Sequence, residues 1–140
     1  MTKQWMYVPD SGGKKIPDSV KPRIEKRIVE HANKHYAGKF TRIAVRFKGQ
    51  FCYIDAYTEP YLTDNWPPED WPETREQYAE RLRNTPTHLC RLRYFGDENR
   101  WAYAFYTYSN EKYTTSFLQS GKFEGTPEEA FDTSSVYLQG

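Results

Sequence analysis

Two stretches of the chain alternate apolar and polar residues with the period of a β-strand. They are Ile43–Tyr57, broken at Lys48-Gly49, and Leu89–Tyr108, broken at Gly96-Asp97-Glu98-Asn99. Strand side chains point alternately to the two faces, so each stretch can be sorted by register. A two-residue turn at Lys48-Gly49 pairs Phe47 with Gln50, Val45 with Cys52 and Ile43 with Ile54. One face then holds Ile43, Val45, Phe47, Cys52, Ile54 and Ala56. The other sets Arg42 opposite Asp55, Ala44 opposite Tyr53 and Arg46 opposite Phe51. In the second stretch the turn Gly96–Asn99 pairs Tyr94 with Trp101, Leu92 with Tyr103 and Cys90 with Phe105. Its opposite face carries Arg91, Arg93, Ala102, Ala104, Tyr106 and Tyr108. A slip of one residue would mix arginine with core residues on one face in both stretches, and their agreement selects this parity.

Helical periodicity appears once in strength. Val20, Ile24, Ile28 and Ala32 form one stripe, with Lys26, Glu30, Asn33 and Lys34 largely opposite. Asp18 or Ser19 is the expected N-cap, Pro22 falls in the first turn, and Gly38 follows the end. A second, short helix is expected over Glu73–Arg83. A third should start at Thr126-Pro127-Glu128-Glu129, which has a capping threonine, a first-turn proline and an acid three residues after the cap. Residues 4–9 read as a docked strand or arm, Tyr113–Leu118 as a strand, and Val136-Tyr137-Leu138 as an edge strand. Between the hairpins, Trp66-Pro67-Pro68-Glu69-Asp70-Trp71-Pro72 forbids regular structure. Its tryptophans read as a clamp on a sheet edge or, alternatively, as a lid.

The expected fold is therefore one α+β domain over residues 1–140: an N-terminal amphipathic helix packed on an antiparallel meander of four to six strands, with a Pro/Trp-rich insert between the hairpins. Helix followed by meander resembles the cystatin-like and NTF2-like arrangement, an analogy of fold that implies no function.

Composition changes this picture little. Aromatic residues make up 17% of the chain, which argues for a folded domain despite a mean hydropathy of −0.96. No apolar run has the length of a membrane span, and the start lacks the apolar core of a signal peptide. Cys52 and Cys90 face the expected core as small hydrophobes, and two isolated cysteines fit a reducing cytoplasm. Net charge is +1, but it is unevenly spread: +8 over residues 1–50, −7 over 51–80, +4 over 81–122 and −4 over 123–140. Such blocks can neutralise one another in the fold or separate into a basic face and an acidic flap.

The Arg/Tyr face is the leading candidate site. Arg42, Arg46, Arg91 and Arg93 with Tyr53, Asp55, Tyr106 and Tyr108 would present guanidinium forks and rings to an anionic partner. The competing reading pairs these arginines with Asp55, Glu59 and the acidic insert. An acidic protein surface is favoured as partner over nucleic acid, because nucleic-acid modules are usually strongly basic. Two other classes stay open. One is a small-molecule or enzymatic pocket between sheet and insert, with Trp66 and Trp71 as lid and Asp55 or His35 as acid/base. The other is a homodimer that uses the sheet face as its interface.

Other motifs carry less. His31 and His35 stand four apart on the first helix, a spacing that can share a metal, but the run His31-Ala32-Asn33-Lys34-His35 lacks the zincin glutamate. Gly12-Gly13-Lys14-Lys15 lacks the spacing of a phosphate loop. No cofactor, metal or catalytic residue is expected, and the balance points away from an enzyme.

Three segments, Ile16–Lys21, Arg46–Tyr57 and Phe105–Tyr113, resemble small uncharacterised proteins of bacteria, cyanobacteria among them. The resemblance covers most of the chain. It implies a soluble bacterial protein with no assigned activity, and no functional residue comes with it.

Overall fold

The computed structural model describes residues 11–138, so the arm expected at residues 4–9 lies outside the described residues. The order of elements is helix α1 (Lys21–His35), strands β1 (Arg42–Lys48) and β2 (Phe51–Tyr57), helix α2 (Arg75–Arg83), strands β3 (Thr87–Tyr94), β4 (Trp101–Thr107), β5 (Lys112–Thr115) and β6 (Glu124–Gly125), and helix α3 (Pro127–Ser134). A 3-10 turn follows at Ser135–Leu138. All strand pairs are antiparallel. The sheet order is β1-β2-β3-β4-β5, with β6 pairing the start of β4. The fold is α+β, as the hydrophobic pattern predicts.

One face of the sheet is the core. Cys52, Ile54, Cys90, Leu92, Tyr94, Trp101 and Tyr103 join Ile24, Ile28 and Ala32 of α1 and Ala130 and Phe131 of α3 in one buried cluster. Each large aliphatic side chain removed from water contributes roughly 1.5–3 kcal/mol, so this cluster dominates stability. Ile43, Val45 and Phe47 of the edge strand β1 are only half-buried against it. A polar tie crosses the interior where the Tyr103 hydroxyl meets Ser134 Oγ at 2.6 Å.

Helix α1 departs from its expected start. Neither Asp18 nor Ser19 caps it. Val20 occupies the N-cap with helical dihedrals and no side-chain cap bond, and Pro22 still falls in the first turn. A preceding turn supplies the missing partner, since Val20 N–H donates to the Pro17 carbonyl at 3.0 Å. Asp18 instead pairs with Lys21 at 3.0 Å. Helix α3 follows its sequence signal in full, with Thr126 and Glu129 closing a reciprocal capping box.

The first hairpin keeps its parity and changes its register by two. Phe47 faces Cys52, Lys48 faces Phe51, Arg46 faces Tyr53, and Arg42 faces Tyr57 rather than Asp55. The loop is Gly49-Gln50, with Gly49 at φ +61°. A glycine leading a two-residue loop takes this left-handed position without steric cost, and that fixes the turn one residue later than expected. The second hairpin has the expected register, Tyr94–Trp101, Leu92–Tyr103 and Cys90–Phe105.

A bulge interrupts the β2–β3 pairing. Ile54 faces Cys90, but Asp55 faces His88, so Leu89 is the extra residue. Leu89 and Cys90 are both fully buried, and His88 is re-aimed to the opposite face beside Asp55, a common consequence of a bulge. Two further expectations are corrected. Ser135–Leu138 forms a 3-10 turn on the end of α3, not an edge strand. The strand expected over Tyr113–Leu118 is the shorter β5, and the two-residue β6 takes the place beside it along β4.

The insert is organised around itself. Helix α2 has a full Thr74/Gln77 capping box and makes at most marginal contact with any other element. Arg83 ties its end to Glu59 at 2.8 Å, near where the insert leaves β2.

Candidate functional site

The face of the sheet turned away from α1 and α3 carries all eight residues singled out from the sequence. Across it, Arg46 of β1 faces Tyr53 of β2, Tyr53 faces Arg91 of β3, and Arg91 faces Ala104 of β4. A parallel row runs from Phe51 through Arg93 to Ala102 and Glu124. Tyr106 faces Tyr113 of β5. These rows place guanidiniums beside rings over a floor of two alanines, both buried.

Each arginine finds a ring. Arg46 lies 4.5 Å from the Tyr53 ring centre, Arg91 lies 4.3 Å from Phe51 and 5.5 Å from Tyr113, and Arg93 lies 4.7 Å from Phe51. Arg42, at the end of β1, lies 4.0 Å over Tyr57 and is exposed. Stacking over a ring leaves the edge of a guanidinium for hydrogen bonds, which Arg46 spends on Asp55 and Arg93 on the Gly12 carbonyl.

Asp55 is the acid at the centre and is nearly inaccessible, at 4% exposure. Arg46 Nε donates to its Oδ2 at 3.1 Å, while His88 Nδ1 meets its Oδ1 at 2.8 Å. The sequence placed Arg42 opposite this carboxylate. The two-residue change of register gives it to Arg46 as a diagonal neighbour instead. With Nδ1 turned to the carboxylate, His88 keeps Nε2 for other partners, an orientation that favours a defined tautomer. Its ring sits among Tyr106 at 4.7 Å, Tyr108 at 6.4 Å and Tyr113 at 6.4 Å. The Tyr108 hydroxyl accepts the His88 backbone N–H at 2.8 Å, although half of the Tyr108 side chain is exposed.

The cations differ in how they are matched. Arg46 shares Asp55. Arg93 is buried and donates to the Gly12 carbonyl at 2.7 Å. Arg91, half-buried on the central strand, has no carboxylate within ion-pair distance among the described residues. Burial pulls its guanidinium below the ordinary value, and the neighbouring Arg93 charge acts in the same direction. Arginine stays charged even so. Beside it the Tyr113 hydroxyl is buried without a hydrogen-bond partner among the described residues. Burial, and then the Asp55 charge, raises the Tyr113 pKa, so the phenol is a neutral donor.

Among the described residues, helix α2 and the paired tryptophans pack largely within the insert itself. Trp66 and Trp71 contact each other and Tyr78, and the pocket they line is built from insert residues alone. A separate cleft of about 360 Å³ lies where the insert meets the sheet end, between Pro60, Tyr61, Leu82 and Tyr108. The other sequence candidates fall outside the face. His31 Nε2 bonds Asp132 at 2.7 Å, and His35, exposed, lies 4.7 Å ring to ring from His31. Among the described residues no group of three or more His, Cys, Asp or Glu side chains could hold a metal. Burial raises both cysteine thiols, Cys90 to about 12, so neither is a nucleophile in the folded chain. No helix of the described residues is long and apolar enough to cross a membrane.

Three members of the face were not singled out from the sequence. Phe51 and Tyr113 were legible, because Phe51 shares parity with Tyr53 and the turn after Tyr108 brings Tyr113 opposite Tyr106. His88 was not, since strict alternation from Arg91 sends it to the core side and only the bulge at Leu89 reverses this.

No protein-family model matches the chain, and neither does any curated protein or any solved structure.

Proposed function

We propose that this protein is a non-enzymatic binding module that takes an acidic segment of a partner protein on the Arg/Tyr face of its sheet, with Arg91 as the anchor. The observation that carries this reading is the state of Arg91: a half-buried cation on the central strand, braced by Phe51 and Tyr113, with no carboxylate at hand among the described residues. A half-buried charge left unmatched is costly, and a carboxylate arriving from outside would relieve that cost.

A peptide suits the face better than nucleic acid. The rings that would stack on bases already hold guanidiniums or one another, and net charge is close to neutral. A cytoplasmic location fits two buried free thiols.

The test is calorimetric titration with a glutamate-rich peptide and, separately, with a single-stranded oligonucleotide, each at rising salt. The peptide is expected to bind with an affinity that falls as salt rises. Arg91→Gln should weaken it by about tenfold to a hundredfold, the loss of one charged hydrogen-bond pair, with the unfolding midpoint unchanged or raised. Affinity that ignores both salt and Arg91→Gln sinks the proposal, and tighter binding of the oligonucleotide replaces the peptide by nucleic acid.

A further inference from the structure

The insert between β2 and β3 builds a second pocket whose chemistry is opposite to that of the sheet face. Residues 51–80 carry eight acids and one arginine. That arginine, Arg75, is consumed within the insert. Its guanidinium donates to the carbonyls of Trp66 at 2.6 Å, Thr63 at 2.7 Å and Leu62 at 3.3 Å, and so pins the loop against α2. The pinned loop presents two indoles, Trp66 and Trp71, with ring centres 5.2 Å apart and planes tilted by 53°. Tyr78 backs both from 6.2 Å, nearly edge-on.

Both indoles remain over a third exposed, 37% for Trp66 and 36% for Trp71. A tryptophan that served only to plug a sheet edge would be covered by that sheet, and no residue of the sheet lines the pocket beside these rings. The pocket measures about 390 Å³. Pro67, Pro68 and Pro72 line it together with Asn65, Thr74 and Arg75, whose guanidinium is turned to the loop carbonyls, and its rim carries the exposed carboxylates Asp64 and Glu69. Neither carboxylate is in an ion pair with a described residue. Glu73, the third acid at the pocket, is committed to Trp71 Nε1 and to Arg81.

This combination selects for one kind of ligand. Indole faces are electronegative and attract a cation within about 6 Å of the ring centre. A compact ammonium is strongly hydrated, and ring faces and proline side chains replace that hydration poorly. An alkylated ammonium, large and weakly hydrated, loses little on entering and gains both rings and the rim charge. The insert already holds one cation in this manner, for the Arg81 guanidinium lies 5.0 Å from the Tyr78 ring centre.

We propose that the Trp66–Trp71 pocket binds a quaternary or methylated ammonium group. The site is independent of the sheet face, since it has the opposite charge and shares no residue with it.

The test follows the indole N–H signals in the NMR spectrum of the full chain. Trp101, buried at 1% exposure, serves as the internal reference. Choline chloride, tetramethylammonium chloride and a peptide containing trimethyllysine are titrated in turn. A neutral alcohol of choline's shape, with carbon in place of nitrogen, is the control. The Trp66 and Trp71 signals are expected to shift and saturate with the cations, with the alcohol about threefold to thirtyfold weaker. Tighter binding of the peptide assigns the ligand to a modified lysine, and tighter binding of choline assigns it to a free head group. Because Trp66→Ala can collapse the insert, the variant of choice is Glu69→Gln, which lies on the exposed rim and should weaken cation binding while leaving the alcohol unchanged. Equal shifts from alcohol and cation, or shifts that leave Trp66 and Trp71 untouched, overturn the proposal.

Discussion

The two faces of the central sheet are built from the same strands and obey opposite rules. On the helix side the side chains are aliphatic or aromatic, buried in the central strands and half-buried on the edge strand β1, and the Tyr103 hydroxyl has its partner in Ser134. On the open side, cations rest on rings and a carboxylate is shared between two basic groups. At the rim of the helix side, Arg27 is matched by Glu128 and Arg23 by Glu98, each at 2.7 Å. Arg91, at the centre of the open side, has no such match among the described residues. A sheet needs one covered face to be stable. On the second face Asp55, Arg93, Ala102 and Ala104 are buried as well, among rings stacked on guanidiniums that go beyond what solubility requires.

This comparison predicts where substitutions act. The largest stability effect is expected on the helix side: Leu92→Ala, at a fully buried position, should cost about 2–5 kcal/mol in urea unfolding. Arg91→Leu, one residue away on the open side, should leave the midpoint unchanged or raise it. Next comes Ser134→Ala, which leaves the buried Tyr103 hydroxyl unpartnered and should cost about 1–3 kcal/mol, whereas the paired change with Tyr103→Phe should recover most of it.

On the open side, Asp55→Asn should cost more than Arg46→Gln. Asp55 is buried and serves two partners, while the Arg46 side chain is 53% exposed and its pair is worth about 1 kcal/mol or less. A double-mutant cycle read by urea unfolding separates the shared part.

How far these differences were legible in the sequence depends on what each one rests on. Parity was readable because a slip of one would send arginine into the core, a penalty visible in residue types alone. The exact pairing of the first hairpin was not. Registers two residues apart keep the same faces, and the choice rests on which residue takes the left-handed turn position, here Gly49. The bulge at Leu89 was hidden for the same reason, since an extra residue changes the face of His88 without leaving an unusual residue type. The start of α1 departs from the expectation because a turn over Pro17–Val20 substitutes for a side-chain cap. The insert's self-contained packing follows from Arg75 reaching four carbonyls, a contact that composition cannot display.

Two smaller effects sharpen the contrast. Cys52 and Cys90 lie on the covered face, so both should resist alkylation by iodoacetamide in native buffer and react together on unfolding. Labelling of either thiol at native conditions would show that the helix side opens. The helix-side ion pairs give a pH signature. Burial opposes the ionised form of Glu128, but its hydrogen bonds with Arg27 outweigh that and hold the carboxyl below its ordinary value of 4.5. A depressed folded pKa stabilises above the unfolded value and loses that stabilisation as pH falls through the folded one. Thermal melts below pH 4.5 should therefore fall more steeply for the parent chain than for Arg27→Met.

The claim that the open face is the functional one is tested most directly by mapping amide and arginine Nε–H shifts while a glutamate-rich peptide is added. Saturable shifts are expected on β2, β3 and β4, led by the Arg91 Nε–H, and they should disappear in Arg91→Gln with the fold intact. Shifts confined to the lysine-bearing surface of α1, or a pattern that Arg91→Gln leaves unaltered, would contradict it.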